Sequence, residues 1–442
     1  MNTDRLISKD LQHIWHPAAK MKQFEQDPPL VVTAAKGSYI ETTQGKLIDG
    51  ISSWWCKSLG HGHPAVLAAI HEQLNRFEHV MPVNTTHPTI VTLAEELAAL
   101  SHKQHVFFAN DGASAVEIAL KLAIQATMLK GQPERNQFIA LRRGYHGETL
   151  GTLSVSDMGE YKHAWASFGV TCHFLDPIPY VSGMDDPLWD DANAQWAEIL
   201  PQLEGLKDQA CAIILEPMVQ GANGLRPYSA DFLAKLAAFA KQHGLYLIAD
   251  EIMTGLGRTG TWFASEHAQI NPDMICLSKG LTSGSMPMSC VLIDHEIYDL
   301  FYHESDPKRS FLHSHTYGGN PLAMAAALAT LQTMRIENIN QTAQTLGHYM
   351  RQQFQAVIEQ SGQFTPLRSL GAIVAADFTG SHSDFARCLA RAAQNGGALL
   401  RPIGRTLYWL PPLTTSHATI DQLADITAQA IQTVLQGETC TA

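Results

Sequence analysis

The chain lacks the features that mark several common classes of protein. Only 16% of its 442 residues are charged, and they give a formal net charge of −12 rather than a basic excess. A nucleic-acid-binding protein usually presents a basic face, so this balance argues against one. No run of about 18 apolar residues occurs, and the first residues contain no apolar stretch long enough for a signal peptide. We therefore expect a cytoplasmic protein that does not interact with membranes.

Cysteine is scarce and is not arranged in pairs. The seven cysteines are Cys56, Cys172, Cys211, Cys276, Cys290, Cys388 and Cys440, without any CxxC spacing. A disulfide framework or a zinc site would need paired or clustered cysteines, so we expect reduced thiols and no metal site.

Glycine-rich nucleotide-binding motifs are also missing or misplaced. The chain has no GxxxxGK[ST] loop, and the glycines of GLGRTG (255–260) lead into TWFASEH. A dinucleotide fingerprint requires a strand, then glycines, then a helix, so a dehydrogenase is disfavoured.

Apolar residues are abundant, at 45% of the chain, which is enough for the cores of two or three domains. Short apolar runs alternate with amphipathic helical patterns in the middle of the sequence. These runs are HVFFAN (105–110), CAIILEP (211–217), LYLIAD (245–250) and MICLSK (274–279). The alternation predicts an α/β fold with a mostly parallel sheet covered on both faces.

The two ends of the chain follow other patterns. Residues 28–51 read as short strands joined at Lys36-Gly37 and at Gln44-Gly45, which indicates a meander of hairpins. Beyond about residue 335 the order is helix, strand, helix, strand, interrupted at Gly396-Gly397 and at Pro411-Pro412. We expect a large central domain (61–335) and a small α/β domain built from residues 1–60 and 336–442.

Two polar residues follow apolar strands of the predicted sheet. LYLIAD ends in Asp250 and MICLSK ends in Lys279. Ligands of open parallel sheets bind at the carboxyl ends of the strands, so both side chains are placed for function. Pyridoxal phosphate needs this pair, because a lysine amine forms its imine and a carboxylate keeps its ring nitrogen protonated. Either residue alone would more often be the polar start of a loop.

A turn that could hold a phosphate lies elsewhere in the predicted sheet. Asp111 to Ser114 connect the strand HVFFAN to an apolar helix. Unpaired N–H groups and the positive end of the helix dipole suit a phosphate there. Ordinary helix capping explains the same residues, so this turn gains weight only from Asp250 and Lys279.

A series of motifs in one order resembles the class III, fold-type I aminotransferases and covers nearly the whole chain. The motifs are GASAVEIALK, RRGYHGETLG, ILEPMVQGANG, LIADEIMTGLGRTG, CLSKGLT and HTYGGNPLA. The resemblance implies a fold-type I α/β structure and a homodimer that shares its active sites. It also implies a role for each matched residue. Lys279 would form the Schiff base, Asp250 would contact the ring nitrogen, and Gly112 and Ala113 would bind the phosphate. Tyr145 would stack on the ring and face the substrate, while Ser314, His315 and Thr316 would complete the site, Thr316 from the partner subunit.

Two departures from the ornithine and γ-aminobutyrate members of the family narrow the range of possible substrates. Where those enzymes have a glutamate after EPIQG, this chain has Ala222, and Met253 replaces their glutamine. HIWHP, ISSWWC, GHGHP and LLRPIGRTLYWLPP instead resemble the branch that acts in biotin synthesis. That resemblance implies 8-amino-7-oxononanoate as amino acceptor and S-adenosyl-L-methionine as the usual donor. It places Trp54, Arg401 and Tyr408 in the substrate pocket, with Arg401 binding carboxylates, as a planar guanidinium can.

The amino donor is the open point. After His16-Pro17 the relatives carry a tyrosine that stacks on the donor's adenine, whereas this chain has Ala18. Either Phe24 or Trp15 replaces that tyrosine, or the donor differs, for instance lysine. Two other functions are weighed against this assignment: an ω-amino-acid:pyruvate aminotransferase, and a cofactor-free binding protein that keeps the fold. The second is disfavoured because such a protein would not need Lys279.

Overall fold

The computed structural model describes residues 2–437. Its strands are β1 Val32–Lys36, β2 Tyr39–Thr42, β3 Gly45–Asp49, β4 His105–Ala109, β5 Gln137–Leu141, β6 Cys172–Leu175, β7 Ala210–Leu215, β8 Val219–Gln220, β9 Arg226–Pro227, β10 Tyr246–Asp250, β11 Met274–Leu277, β12 Ser289–Ile293, β13 Arg368–Ser369, β14 Val374–Asp377, β15 Ala398–Leu399 and β16 Thr406–Trp409. Its helices are α1 Thr3–His13, α2 Ser52–Trp55, α3 Pro64–Leu74, α4 Pro88–Ser101, α5 Gly112–Leu129, α6 Leu150–Ser154, α7 Glu160–His163, α8 Asn193–Leu206, α9 Ala230–His243, α10 His295–Phe301, α11 Pro321–Ile336, α12 Ile339–Ser361, α13 Phe385–Gly396 and α14 His417–Leu435.

The central sheet has seven strands in the order β4-β12-β11-β10-β7-β5-β6. β12 pairs antiparallel with both of its neighbours, and the other four pairings are parallel. Every residue of β7, β10, β11 and β12 is buried, as expected for strands covered on both faces. The predicted, mostly parallel sheet is therefore confirmed, and each of the four apolar runs forms a strand. One detail differs, because β11 ends at Leu277 and Lys279 begins the next turn.

Helix α5 packs on this sheet and is among its most buried elements. Nine of its residues are buried, and eight of them belong to a core cluster shared with the central strands. In the part of the chain that the structure describes, α5 alone is long and apolar enough to cross a membrane, and half of it is buried inside the fold. A core helix has the same length and composition, so this is weak support for a membrane span.

A second sheet joins the two ends of the chain. Strands β1, β2 and β3 form an antiparallel meander, and β15 adds to it in parallel with β3. The predicted turns are present, and Gly37 has the positive φ of 58° that such a turn requires. β13, β14 and β16 form a further small sheet. This pairing agrees in outline with a small domain assembled from both ends, whose boundaries stay a prediction.

The C-terminal region is more helical than the predicted order helix, strand, helix, strand. Helices α12 and α13 are present, and α13 stops at Gly396 with Gly397 in a left-handed conformation (φ 101°). The sequence interpretation missed α14, which packs against α12 and α13.

The cysteines largely follow the expectation of reduced thiols. Five are free, namely Cys56, Cys172, Cys211, Cys276 and Cys290. Cys388 is disulfide-bonded, so the expectation is wrong at that residue. Cys440 lies outside the described residues.

Candidate active site

Asp250 and Lys279 lie at the same edge of the central sheet. Asp250 ends β10, which runs parallel to β11 and pairs Asp250 with Cys276. Lys279 begins the short 3-10 turn Lys279–Thr282, with a positive φ of 30°. Burial lowers the pKa of the Lys279 amine, while the negative charges of Asp250 and Glu216 oppose that shift. A lysine amine with a lowered pKa is a better nucleophile and proton carrier at neutral pH.

The Asp250 carboxylate is held by a histidine that the sequence interpretation left without a role. Asp250 is 4% exposed, and its Oδ2 lies 2.8 Å from Nδ1 of His146, which is also buried. The backbone N–H of Ile252 donates to Oδ1 at 3.2 Å. His146 Nε2 is buried and has no hydrogen-bond partner among the described residues. His146 therefore orients the carboxylate and keeps it from swinging away.

The loop that carries Tyr145 is fastened by a second buried carboxylate. Glu216 accepts hydrogen bonds from the N–H of Tyr145 at 3.0 Å and from the N–H of Gly221 at 2.8 Å. Burial raises the pKa of Glu216 to about 7, an effect that His146 opposes and that Asp250 reinforces. At the tip of the side chain, the Tyr145 hydroxyl donates to Glu148 at 3.1 Å. Both ends of Tyr145 are therefore fixed.

The predicted phosphate turn, residues 111–114, approaches the Tyr145 loop and the end of β10. A Cβ added to Gly147, in the Tyr145 loop, would lie 2.9 Å from the Cβ of Ala113. A Cβ added to Gly112 would lie 2.9 Å from Cδ1 of Ile252, two residues beyond Asp250. Asp111 caps α5 by accepting the N–H of Ser114 at 2.8 Å. The turn, the Tyr145 loop and the end of β10 thus meet in one place.

The two adjacent tryptophans point to different parts of the site. They belong to α2, a single left-handed turn in which Ser52, Ser53, Trp54 and Trp55 all have positive φ. For L-residues this conformation costs roughly 1–2 kcal/mol per residue. Trp55 is buried, its ring centroid lies 5.0 Å from the Nζ of Lys279, and its Nε1 donates to the Tyr408 hydroxyl at 3.1 Å. The sequence interpretation chose Trp54 for the pocket and missed the contact of Trp55 with Lys279.

Trp54 contacts Arg401 instead. It is 44% exposed, and the guanidinium carbon of Arg401 lies 4.3 Å from its ring centroid. Arg401 has no carboxylate partner among the described residues. Tyr408 lies close enough for the Arg401 charge to affect it, although burial is the larger effect and raises the Tyr408 pKa to about 12. Trp54, Arg401 and Tyr408 therefore form one neighbourhood, linked to Lys279 through Trp55.

A cavity of about 840 Å³ opens beside Trp54 and Arg401. Segment 19–30 of the N-terminal region and helix α13 both line it. Phe24 lines this cavity, whereas Trp15 is 87% exposed and does not. Of the two aromatic residues that could replace the tyrosine absent at Ala18, only Phe24 is well placed.

The loop of Ser314, His315 and Thr316 makes its hydrogen bonds with other residues. Ser314 and Thr316 are exposed, and the Thr316 carbonyl accepts a hydrogen bond from His79 Nε2 at 2.7 Å. His315 contacts His313, with 3.0 Å between their Nε2 atoms. Among the described residues, no hydrogen bond joins this loop to Lys279, Asp250 or Ala113. Its role in the site of a partner subunit stays a prediction.

The residues fit pyridoxal phosphate. Asp250 offers a buried, oriented carboxylate to a cationic ring nitrogen, and Lys279 offers an amine at the same edge of the sheet. At the start of α5, the N–H groups of Gly112 and Ala113 precede the first backbone bond of the helix, which joins the N–H of Ala115 to Asp111. These N–H groups are free to bind an anion.

Known proteins are similar to this chain along nearly its whole length. The family model of the class-III aminotransferases matches residues 21–431. The adenosylmethionine-8-amino-7-oxononanoate aminotransferase of Helicobacter pylori is 34% identical over 420 residues, which cover 94% of this chain and 94% of that protein. The crystal structure of the enzyme of that name from Methanocaldococcus jannaschii has a TM-score of 0.90 at 28% identity and covers 98% of this chain and 99% of its own. The structure of an amine transaminase from an uncultivated Pseudomonas species in the PLP-bound form has a TM-score of 0.88 at 32% identity, with 95% and 98% covered. The expected transaminase fold is thus confirmed, and the chain belongs to the class-III aminotransferases.

Proposed function

We propose that this aminotransferase converts 8-amino-7-oxononanoate to 7,8-diaminononanoate, a step of biotin biosynthesis, with S-adenosyl-L-methionine as amino donor. The observation that carries the substrate assignment is Arg401, a cation without a carboxylate partner among the described residues, stacked on Trp54 at the wall of a large cavity. A keto acid with a long alkyl chain needs such a pair, with the guanidinium for its carboxylate and the indole for its methylene groups. The names of the full-length relatives support the same substrate.

Pyridoxal phosphate is the cofactor, and when bound it supplies an electron sink for the negative charge that develops on the substrate carbon. Lys279 would hold the cofactor through its amine and, when that amine is free, would accept and return a proton at its Nζ. Asp250 keeps the ring nitrogen protonated, and His146 orients Asp250 through the 2.8 Å contact. Tyr145, fixed at its backbone by Glu216, would help to hold the cofactor ring. Gly112 and Ala113 bind the phosphate through their N–H groups.

Arg401 binds the carboxylates of both amino donor and keto acid, which enter in turn. Trp54 packs against the alkyl part of the substrate, and Tyr408 positions Trp55 next to Lys279. No acidic side chain forms an ion pair with Arg401 among the described residues, which agrees with Ala222 standing where other members of the family have a glutamate. Arg401 is thus free to bind a carboxylate in both half-reactions.

Phe24 is the residue we propose for stacking on the adenine of S-adenosyl-L-methionine. It lines the cavity together with Trp54 and Arg401, and its ring centroid lies 4.7 Å from that of His16. Lysine remains the alternative donor, since it needs no aromatic platform. An ω-amino-acid:pyruvate activity is the second candidate function, favoured by the structural likeness to an amine transaminase.

Replacing Arg401 with alanine is expected to raise the KM for the keto acid on the order of 100-fold, because a two-point, charge-assisted contact is lost. Steady-state kinetics with 8-amino-7-oxononanoate measures it. Arg405→Ala is the matched control, since that guanidinium packs on Phe378 and donates to the Phe378 carbonyl, away from the cavity. An unchanged KM for Arg401→Ala would remove Arg401 from the site.

Single-turnover spectra decide the donor and the substrate class. The holoenzyme is mixed in turn with S-adenosyl-L-methionine, lysine and β-alanine, and the visible absorbance of the bound cofactor is followed. We expect that absorbance to fall with S-adenosyl-L-methionine alone and to recover when 8-amino-7-oxononanoate is added. Loss with lysine only would change the donor, and loss with β-alanine and recovery with pyruvate would support the second function.

Two further expectations belong to the proposal. A homodimer would bring the exposed Thr316 of each chain to the phosphate turn of the other, and size-exclusion chromatography with light scattering tests its existence. A cytoplasmic location is proposed from the composition.

A further inference from the structure

The turn Ser52–Trp55 has a backbone that L-residues avoid in succession. Its φ angles are 51°, 46°, 74° and 71° from Ser52 to Trp55. The N–H of Trp55 donates to the carbonyl of Ile51 at 2.8 Å, and the N–H of Cys56 to that of Ser52 at 2.9 Å. This is one turn of left-handed helix, formed without a single glycine. Side chains other than glycine usually visit this conformation as isolated residues, so the surrounding structure must hold the turn in place.

Asp49, the last residue of β3, makes most of the contacts that hold it. Its carboxylate is fully buried, and Oδ1 accepts the N–H of Ser53 at 2.9 Å and the N–H of Ile51 at 3.3 Å. Oδ2 lies 2.9 Å from the Ser53 hydroxyl, which donates to it, and 2.8 Å from Nε2 of His61. One buried carboxylate thus binds both the start and the middle of the strained turn.

Two other contacts fix Asp49 and the turn to the rest of the fold, one through His61 and one through Ser52. His61 is bound through its backbone to the tip of the meander, by reciprocal N–H to carbonyl bonds of 2.8 Å with Gly37. The Ser52 hydroxyl donates to the carbonyl of Leu410 at 2.7 Å, just beyond β16. Asp49 therefore has a rigid frame against which it can hold the turn.

The left-handed turn decides where the two tryptophans lie. Trp54 contacts Arg401 at the cavity wall, and Trp55 contacts both Lys279 and Tyr408. We propose that Asp49 is a positioning residue: it holds the turn left-handed and so directs Trp54 to the substrate pocket and Trp55 to the lysine. The functional part of this proposal rests on the proposed function, because it takes the roles of Trp54 and Arg401 from there.

The test begins with Asp49→Asn. The asparagine oxygen can still accept the N–H of Ser53, but its NH2 group cannot accept from the Ser53 hydroxyl or from His61. We expect the KM for 8-amino-7-oxononanoate to rise about tenfold or more, since charge-assisted bonds are lost. The visible absorbance of the bound cofactor should persist, because Lys279 and Asp250 are unchanged. An unaltered KM would overturn the proposal.

A second substitution separates strain from other effects. Ser53→Gly and Ser53→Ala both remove the hydroxyl, but only glycine adopts a positive φ without strain. On the Asp49→Asn background we expect Ser53→Gly to restore the KM and Ser53→Ala not to. Equal effects of the two, with or without rescue, would contradict a role in holding the backbone.

If Asp49→Asn does not fold, the Ser53 pair in the otherwise unchanged holoenzyme still decides. We expect a Tm for Ser53→Gly that is about 1–2 °C above that of Ser53→Ala, because one strained residue is relieved. Equal Tm values would overturn the proposal. This comparison does not depend on the substrate, so a chain that fails to use 8-amino-7-oxononanoate would refute the proposed function and leave the role of Asp49 to be judged on Tm.

Discussion

Replacing Lys279 with alanine is expected to abolish both amino transfer and the visible absorbance of the bound cofactor. Alanine has no amine to bind the cofactor covalently or to carry the substrate proton. Proton transfer by a positioned side chain alone contributes about 100- to 10,000-fold to a rate, and the covalent role adds to it. The purified variant is dialysed to remove free pyridoxal phosphate, and its absorbance spectrum is recorded. The kcat for 8-amino-7-oxononanoate is measured beside it.

Lys57→Ala is the matched control. Both Lys57 and Lys279 lie close enough to Cys56 to affect its thiol, but the Lys57 amine donates to the carbonyl of Gly284 at 2.7 Å. The variant should keep the absorbance and most of the activity. If the Lys279 variant keeps its absorbance while the Lys57 variant loses it, the assignment of the lysine is wrong.

Neutralising Asp250 is expected to have the next largest effect. Asp250→Asn keeps the size of the side chain and removes the negative charge that keeps the ring nitrogen of the cofactor protonated. Since one oriented electrostatic contact is worth on the order of 100- to 1,000-fold in kcat, we expect a loss of at least that size. Stopped-flow measurement of the first half-reaction follows it directly.

The control for Asp250 lies at the opposite edge of the same sheet. Asp273 is half-buried just before β11 and accepts the N–H of Leu247 at 2.7 Å, where it makes no hydrogen bond with the site residues. Asp273→Asn should lower Tm and leave kcat nearly unchanged. A similar loss of kcat in both variants would mean that Asp250 acts only by stabilising the fold.

The cofactor side of the site could be predicted from the sequence because it depends on topology. Asp250 and Lys279 follow neighbouring parallel strands, and the carboxyl ends of such strands lie at one edge whatever the side chains do. The turn at Gly112 follows a third strand of the same sheet. These three positions need only the correct strand assignment, which the apolar runs provide.

The substrate side was harder to predict because it depends on one unusual backbone conformation. Nothing in the letters SSWW indicates a left-handed turn, since none of the four residues is glycine or asparagine. An ordinary turn there would leave Trp55 with no evident path to Lys279, which is why its contact was missed. His146 was missed for another reason: its partner Asp250 lies 104 residues away in the sequence.

The pairing of β3 with β15 has a consequence for how the enzyme folds. Asp49 is the Cα partner of Leu399, so the strand that leads into the tryptophan turn is held by one from near the end of the chain. Contacts between residues so far apart in sequence close a long loop and tend to form late. On the ribosome, residues 105–293, which contain all seven strands of the central sheet, can assemble the cofactor side while the substrate pocket still lacks Arg401. We expect a nascent chain to acquire the ability to bind the cofactor before the ability to select its substrate.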